Sequence, residues 1–192
     1  MLLKKILLFA WSLFLLSSAI AAASEPDPIV AKLNAGGHVL MIRHAYAPGS
    51  GDPGHFRIGD CATQRNLDDQ GRTQARRIGQ WLRIRGISSA RVYASQWCRC
   101  LETAALIGIG PVAELPPLNS FYERPQDREP NLEALRAFLA KQPMDGPLIV
   151  LVTHYVTIAA ITGEAVSSGE GVVARLSGNG AVDVLGRVGF DF

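Results

Sequence analysis

An apolar run, Val39-Leu40-Met41-Ile42, leads directly into Arg43-His44, and Ala45-Tyr46-Ala47-Pro48-Gly49-Ser50-Gly51 follows. A cation beside an imidazole at that point suits a phosphate site with a nucleophile built in. Arginine offers forked donors that match phosphate oxygens, and a neutral imidazole can attack phosphorus. A second run, Arg91-Val92-Tyr93-Ala94-Ser95, is soon followed by Arg99. A third, Leu148-Ile149-Val150-Leu151-Val152, ends in Thr153-His154. The bland alternative is that each is a strand ending in solvated polar residues, and Arg43-His44 alone does not decide between the two.

The elements that must position these groups are legible from pattern. Short apolar runs that end in turn residues read as buried strands of a parallel sheet, and ligands bind outside the carboxyl ends of such strands. Ile29 to Asn34 reads as a short helix stopped by Gly36-Gly37. Asp68 or Asp69 can cap a helix in which Ala75, Ile78, Gly79 and Leu82 recur at helical spacing, with Gly86 at its end. Arg72, Arg76, Arg77 and Arg83 fall largely on its other faces and read as a solvated surface. Further helices are expected over Trp97 to Leu106, around Leu132, Leu135, Phe138 and Leu139, and from Ile158 to Ile161. Val172 to Leu176 and Ala181 to Leu185 flank Gly178-Asn179-Gly180, a hairpin signal. Strand and helix alternate, which is the pattern of an α/β domain with a mostly parallel sheet. Right-handed crossovers then bring the strand exits to one edge. Residues 45–66, rich in glycine and proline, form a long loop over that edge and are expected to act as a lid or pocket wall.

The first 23 residues read as a leader. Lys4 and Lys5 precede an apolar core from Ile6 to Leu16, and Ala21-Ala22-Ala23 suits cleavage. The alternative is an uncleaved anchor, for which the core is short, since a spanning helix needs about 20 residues. Residues 24–192 are then a single domain that is periplasmic or secreted, with no membrane span after cleavage. The whole chain has 19 basic and 17 acidic side chains. The two leader lysines make up the difference, so the remainder is neutral, which argues against nucleic acid or an anionic membrane as the main partner. Cys61, Cys98 and Cys100 remain. In an oxidising compartment one disulfide is expected, from Cys61 to Cys98 or Cys100, with the odd thiol free. Zinc on Cys98-Arg99-Cys100 is disfavoured by the tight spacing and the intervening cation.

Four segments together resemble the histidine phosphatase superfamily, which includes phosphoglycerate mutases and acid phosphatases. Leu40-Met41-Ile42-Arg43-His44-Ala45 resembles its Arg-His-Gly/Ala signature. Leu67-Asp68-Asp69-Gln70-Gly71-Arg72-Thr73-Gln74-Ala75 resembles its Leu-Thr-x-x-Gly-x-x-Gln-Ala helix entry. Ser95-Gln96-Trp97-Cys98-Arg99-Cys100-Leu101-Glu102-Thr103-Ala104 resembles Ser-Pro-x-x-Arg-x-x-x-Thr-Ala. Val150-Leu151-Val152-Thr153-His154 resembles the strand ending in Thr-His-Gly. Tyr155 stands where that family usually has glycine, and Gln96 where it has proline. Small size, the leader and Arg-His-Ala also resemble the lipopolysaccharide core heptose phosphatases.

The resemblance implies a three-layer α/β/α sandwich, phosphoglycerate mutase-like, and an exported, metal-independent phosphomonoesterase with no cofactor. Its substrate would be a small phosphorylated molecule such as a sugar phosphate. It makes His44 the nucleophile that forms a phosphohistidine, Arg43 and Arg99 the ligands of the phosphoryl oxygens, and His154 a donor to the same group. In many relatives a glutamate between the second and last motifs protonates the leaving group. Glu123 lies in that interval, with a plain surface carboxylate as its alternative; Glu102 and Glu114 are poorer candidates. A solvated position is expected for His55, a surface or edge position for His38, and Arg57 and Arg65 could read a second anionic group. A non-catalytic phosphate-binding module or a phosphomutase on the same fold are the competing readings.

Overall fold

The computed structural model describes residues 28–191; the leader reading over 1–23 lies outside them. The order is α1 (Pro28–Asn34), β1 (His38–Arg43), α2 (Asp69–Ile84), β2 (Arg91–Ala94), α3 (Cys98–Ile107), β3 (Val112–Glu114), α4 (Arg128–Ala140), β4 (Ile149–Thr153), α5 (Tyr155–Thr162), β5 (Gly171–Leu176) and β6 (Val182–Val188). Short 3₁₀ turns at Cys61–Thr63, Pro116–Leu118 and Pro125–Asp127 punctuate the loops.

The strands form one six-stranded sheet in the order β3-β2-β4-β1-β5-β6. The β1–β4, β2–β4 and β2–β3 pairs are parallel. The β1–β5 and β5–β6 pairs are antiparallel. The sheet is thus mixed, with a parallel half that carries the motif residues and a hairpin half closing the other side. The chain steps from β1 to β2 to β3 in one direction and returns to β4 in the other. Right-handed crossovers therefore put α2 and α3 on one face and α4 on the opposite face.

Side-chain alternation along the strands confirms three layers. Leu40, Ile42, Val92, Val150, Val152 and Val173 pack with α1, α2 and α3. Val39, Met41, Ile149, Leu151 and Val172 pack with Leu135 and Leu139 of α4 and Ile158 of α5. Successive strand residues face opposite sides, so a central strand covered on both faces must be apolar throughout. Val39 to Ile42 of β1 and Ile149 to Val152 of β4 meet that demand, and every residue of β4 is buried.

Three local features differ from the pattern reading. β3 was not legible, because its three residues are half-exposed at the sheet edge and carry no apolar run. α5 begins at Tyr155, directly after β4, earlier than the Ile158 start that its apolar residues suggest. His38 is buried rather than a surface residue. It is the first residue of a strand flanked on both sides, and its Nδ1 lies 3.0 Å from the Ala35 carbonyl.

Candidate active site

Register decides where the two histidines go. Arg43 pairs with Thr153 in the parallel β1–β4 ladder. The next residues, His44 and His154, therefore leave the sheet side by side. The His44 N–H donates to the Thr153 carbonyl at 2.9 Å, and the two imidazole centroids lie 5.5 Å apart. On the other flank of β4, the Ser95 N–H donates to the Val152 carbonyl at 3.0 Å, which carries the end of β2 to the same edge.

The helices are tied to that edge by the motif residues. Thr103 of α3 accepts from the Ala45 N–H at 3.0 Å and donates to the Arg99 carbonyl at 2.6 Å. Gln74 of α2 accepts from the Tyr46 N–H and donates to the Ser168 carbonyl, both at 2.8 Å. Asp68 caps α2 by accepting from the Gly71 N–H. A Cβ on Gly71 would stand 1.9 Å from the Tyr46 carbonyl oxygen, so only glycine lets α2 approach the chain just past His44.

His44 is held in its neutral form. Its Nδ1 lies 2.8 Å from the Ala45 carbonyl, an acceptor, so Nδ1 carries the proton and Nε2 keeps its lone pair. The Arg99 Nε–H points at that Nε2 from 3.3 Å. Burial first, then the Arg99 charge, push the imidazole down to about 3, so it stays uncharged at neutral pH. His154 is likewise held well below its ordinary value by burial and by Arg99. Its Nε2 is engaged by Ser95 Oγ at 2.9 Å, which leaves Nδ1 as its nitrogen for a ligand.

Arg43, His44, Arg65, Arg99, Glu123 and His154 all line one cavity of about 160 Å³, open to solvent, with Tyr122 and Tyr155 also in its wall. All five residues singled out from the sequence (Arg43, His44, Arg99, Glu123 and His154) are thus brought together. Arg43 donates through Nη1 to the Val166 carbonyl at 3.1 Å, while its Nε is buried without a partner. Glu123 accepts from the Asp52 N–H through Oε1 at 3.0 Å. Of the two loop arginines, only Arg65 reaches the cavity; it is fastened by Nε to the Gly51 carbonyl and by Nη1 to the Ala47 carbonyl. Arg57 pairs with Asp60 in solvent, and His55 is exposed. Glu102 and Glu114 lie outside the cavity; Glu102 faces Arg72 and Glu114 accepts from Gln96. The long loop does form part of the cavity wall, through Gly49, Ser50 and Gly51.

Two further tethers hold that loop. Cys61 is bonded to Cys98, the first residue of α3, and Cys100 is a buried free thiol. Gln64 accepts from the Cys98 N–H at 2.9 Å. The residue that pattern reading missed is Asp52. Its side chain is fully covered and forms a two-point ion pair with Arg99, with Oδ1 on Nη1 at 3.0 Å and Oδ2 on Nη2 at 2.9 Å. Burial alone would raise its carboxyl, but bonds from Arg99, the Arg65 N–H and Trp97 outweigh this and hold it below the ordinary value. In the sequence, Asp52-Pro53-Gly54 reads only as a turn. Among the described residues no group of three or more His, Cys, Asp and Glu side chains could hold a metal ion.

Residues 39–126 match the family model of the histidine phosphatase superfamily, branch 1. Over that stretch the chain is similar to the histidine phosphatase superfamily. The mitochondrial serine/threonine-protein phosphatase Pgam5 of Drosophila virilis is 37% identical over 70 residues, which are 36% of this chain and 22% of that protein. The Drosophila grimshawi protein of the same name is 36% identical over the same shares. The chain spans about a fifth of the length of these relatives. The structure of the protein histidine phosphatase SixA complexed with tungstate superposes with a TM-score of 0.57 at 17% identity, covering 79% of this chain and 96% of SixA. Phosphoglycerate mutase from Thermus thermophilus gives 0.57 at 20% identity, covering 80% of this chain and 99% of the mutase. At such identities the superposition establishes the shared α/β fold.

Proposed function

We propose that this protein is an exported phosphomonoesterase that works through a phosphohistidine on His44. The observation that carries this is the state of His44: Nδ1–H committed to the Ala45 carbonyl, Nε2 bare, and the Arg99 Nε–H at 3.3 Å from it. In the first step Nε2 attacks phosphorus and the bond to the leaving oxygen breaks. Glu123 passes a proton to that oxygen. In the second step a water attacks the phosphohistidine, Glu123 takes the water's proton, and the P–N bond breaks to restore neutral His44. Arg43 and Arg99 hold the equatorial oxygens, where fixed donors stabilise the transferring group most. The buried unpartnered Nε of Arg43 is a donor suited to this. His154 donates through Nδ1–H once the Ser95 hydroxyl turns from Asn119 Oδ1, its acceptor at 3.1 Å, onto His154 Nε2 at 2.9 Å.

The narrower resemblance, to the lipopolysaccharide core heptose phosphatases, belongs to the same proposal and makes the substrate a small sugar phosphate. A cavity of about 160 Å³ with two tyrosines in its wall supports that size and chemistry. Tyr122 is 63% and Tyr155 45% exposed, so both offer open surface to a sugar, with the Arg43 guanidinium 5.8 Å from the centre of the Tyr155 ring. Export is supported by the leader pattern and by the Cys61–Cys98 disulfide, a bond that persists in oxidising compartments.

The test is hydrolysis of an aryl phosphate by purified protein, with the phosphoenzyme trapped by alkaline quench. Wild type is expected to turn over and to yield an acid-labile, base-stable phosphoenzyme. His44→Ala should lose at least about 10³-fold in kcat/KM and show no adduct. Equal activity in the two proteins would exclude the mechanism. A panel of sugar phosphates then reads the substrate class.

A further inference from the structure

The cavity holds three arginines, and they are held differently. Arg43 and Arg65 are steadied by backbone carbonyls. Arg99 alone of the three forms an ion pair among the described residues, with Asp52. That carboxylate is saturated: it accepts from Arg99 Nη1 and Nη2, from the Arg65 N–H at 2.8 Å, and from Trp97 Nε1 at 3.0 Å. It is fixed from several directions and cannot swing toward a ligand.

A guanidinium has five N–H donors. In Arg99, Nη1 serves Asp52 Oδ1 and the Arg65 carbonyl, and one Nη2 hydrogen serves Asp52 Oδ2. What remains is Nε–H, aimed at His44 Nε2, and one hydrogen on Nη2. The end of the fork is spent on Asp52, and only its side edge faces the reacting nitrogen.

We propose that Asp52 is a positioning residue for phosphoryl transfer: by occupying both Nη groups of Arg99 it turns the Nε edge onto His44 Nε2 and keeps it there. The proposal rests on the phosphohistidine reading of the same site. Without Asp52 the planar fork is free to meet a phosphate end-on. It would bind the ground state as well as before, or better with one negative charge removed, but lose alignment with the group in flight. Only interactions stronger in the transition state accelerate the chemical step.

Asp52→Asn, which keeps the size of the side chain, tests this. Its kcat should fall about 10²-fold, as for loss of a preorganised donor. KM and inhibition by inorganic phosphate should stay the same or tighten. In an Arg99→Ala background the same substitution should change kcat by less than about 2-fold, since a residue acting through another is silent once that partner is gone. Trp97→Phe removes one bond to Asp52 while keeping a ring against His154, so it supplies a reading if Asp52→Asn does not fold. It should lower kcat by several-fold with KM unchanged.

An undiminished kcat in Asp52→Asn or, should that variant not fold, in Trp97→Phe overturns the role. So does an equal loss with and without Arg99, or a fall in kcat matched by lost phosphate affinity. These outcomes leave wild-type turnover intact. A wild type with no turnover would instead overturn the phosphatase reading, and this proposal with it.

Discussion

Two regions meet at His44, and they are ordered by different means. The strand edge, His44, Ser95 and His154, is placed by backbone register, with main-chain bonds of 2.9–3.0 Å from one strand to the next. The loop over 45–66 has no regular pairing partner in the sheet, yet it supplies Asp52, Arg65 and the glycines of the cavity wall. It is held by side chains: the Asp52–Arg99 pair, the Arg65 bonds to loop carbonyls, Gln64 on Cys98, and the Cys61–Cys98 bond. The sheet places His44 and His154 by main-chain bonds alone, whatever the loop does. Three of the loop's tethers end on the first residues of α3, so its conformation depends on where that helix sits.

Removing the covalent tether separates the two regions most visibly. Cys61→Ser with Cys98→Ser opens a loop closed across 37 residues and should lower stability by about 3–4 kcal/mol in urea unfolding. Phosphate affinity should fall with it, while the His44 ring titration stays where it is, because register holds that residue. A shift of the His44 titration toward 6.5 would show that the loop, not the strand edge, keeps the imidazole dry.

Thr103→Val attacks the strand edge instead. It leaves the Ala45 N–H without its acceptor, and a buried orphan donor costs about 1–3 kcal/mol. Calorimetric unfolding reads the loss, and the disulfide should remain intact.

The pH dependence sharpens the same contrast. In the unfolded chain His44 takes a proton as pH falls through its ordinary 6.5; in the folded protein it resists until about 3. Between those values the unfolded state binds more protons, so stability must decline as pH drops from 6.5 toward 3, with no contribution from this group above 6.5. His154 acts in the same direction. Urea midpoints across that window should show the decline, and His44→Gln should flatten it. The smallest expected effect is Arg57→Ala: the side chain pairs with Asp60 in solvent, so stability should stay within about 0.5 kcal/mol and kcat/KM should not change.

Much of the architecture could be read in advance because burial imposes periodicity. Val39 to Ile42 and Leu148 to Val152 must be apolar throughout, since both faces of the central strands are covered. α2 carries its cap at Asp68 and its core stripe at helical spacing. β3 and the start of α5 left no such trace. β3 is a half-exposed edge, and Tyr155 begins α5 without an apolar neighbour pattern to announce it.

The sequence by itself determined which residues stand at the strand exits: Arg43, His44, Arg99 and His154 follow runs whose apolar content forces those runs into the sheet, and parallel strands carry their ends to one edge. It left three thiols with two possible pairings and a loop of undecided purpose. Only the tertiary structure chose Cys98 over Cys100, admitted Arg65 and dismissed Arg57, and revealed Asp52 as the partner of Arg99. The reason is physical. Regular elements repeat, so their burial is written along the chain, whereas a loop contact such as Asp52–Arg99 spans 47 residues and leaves no period to find.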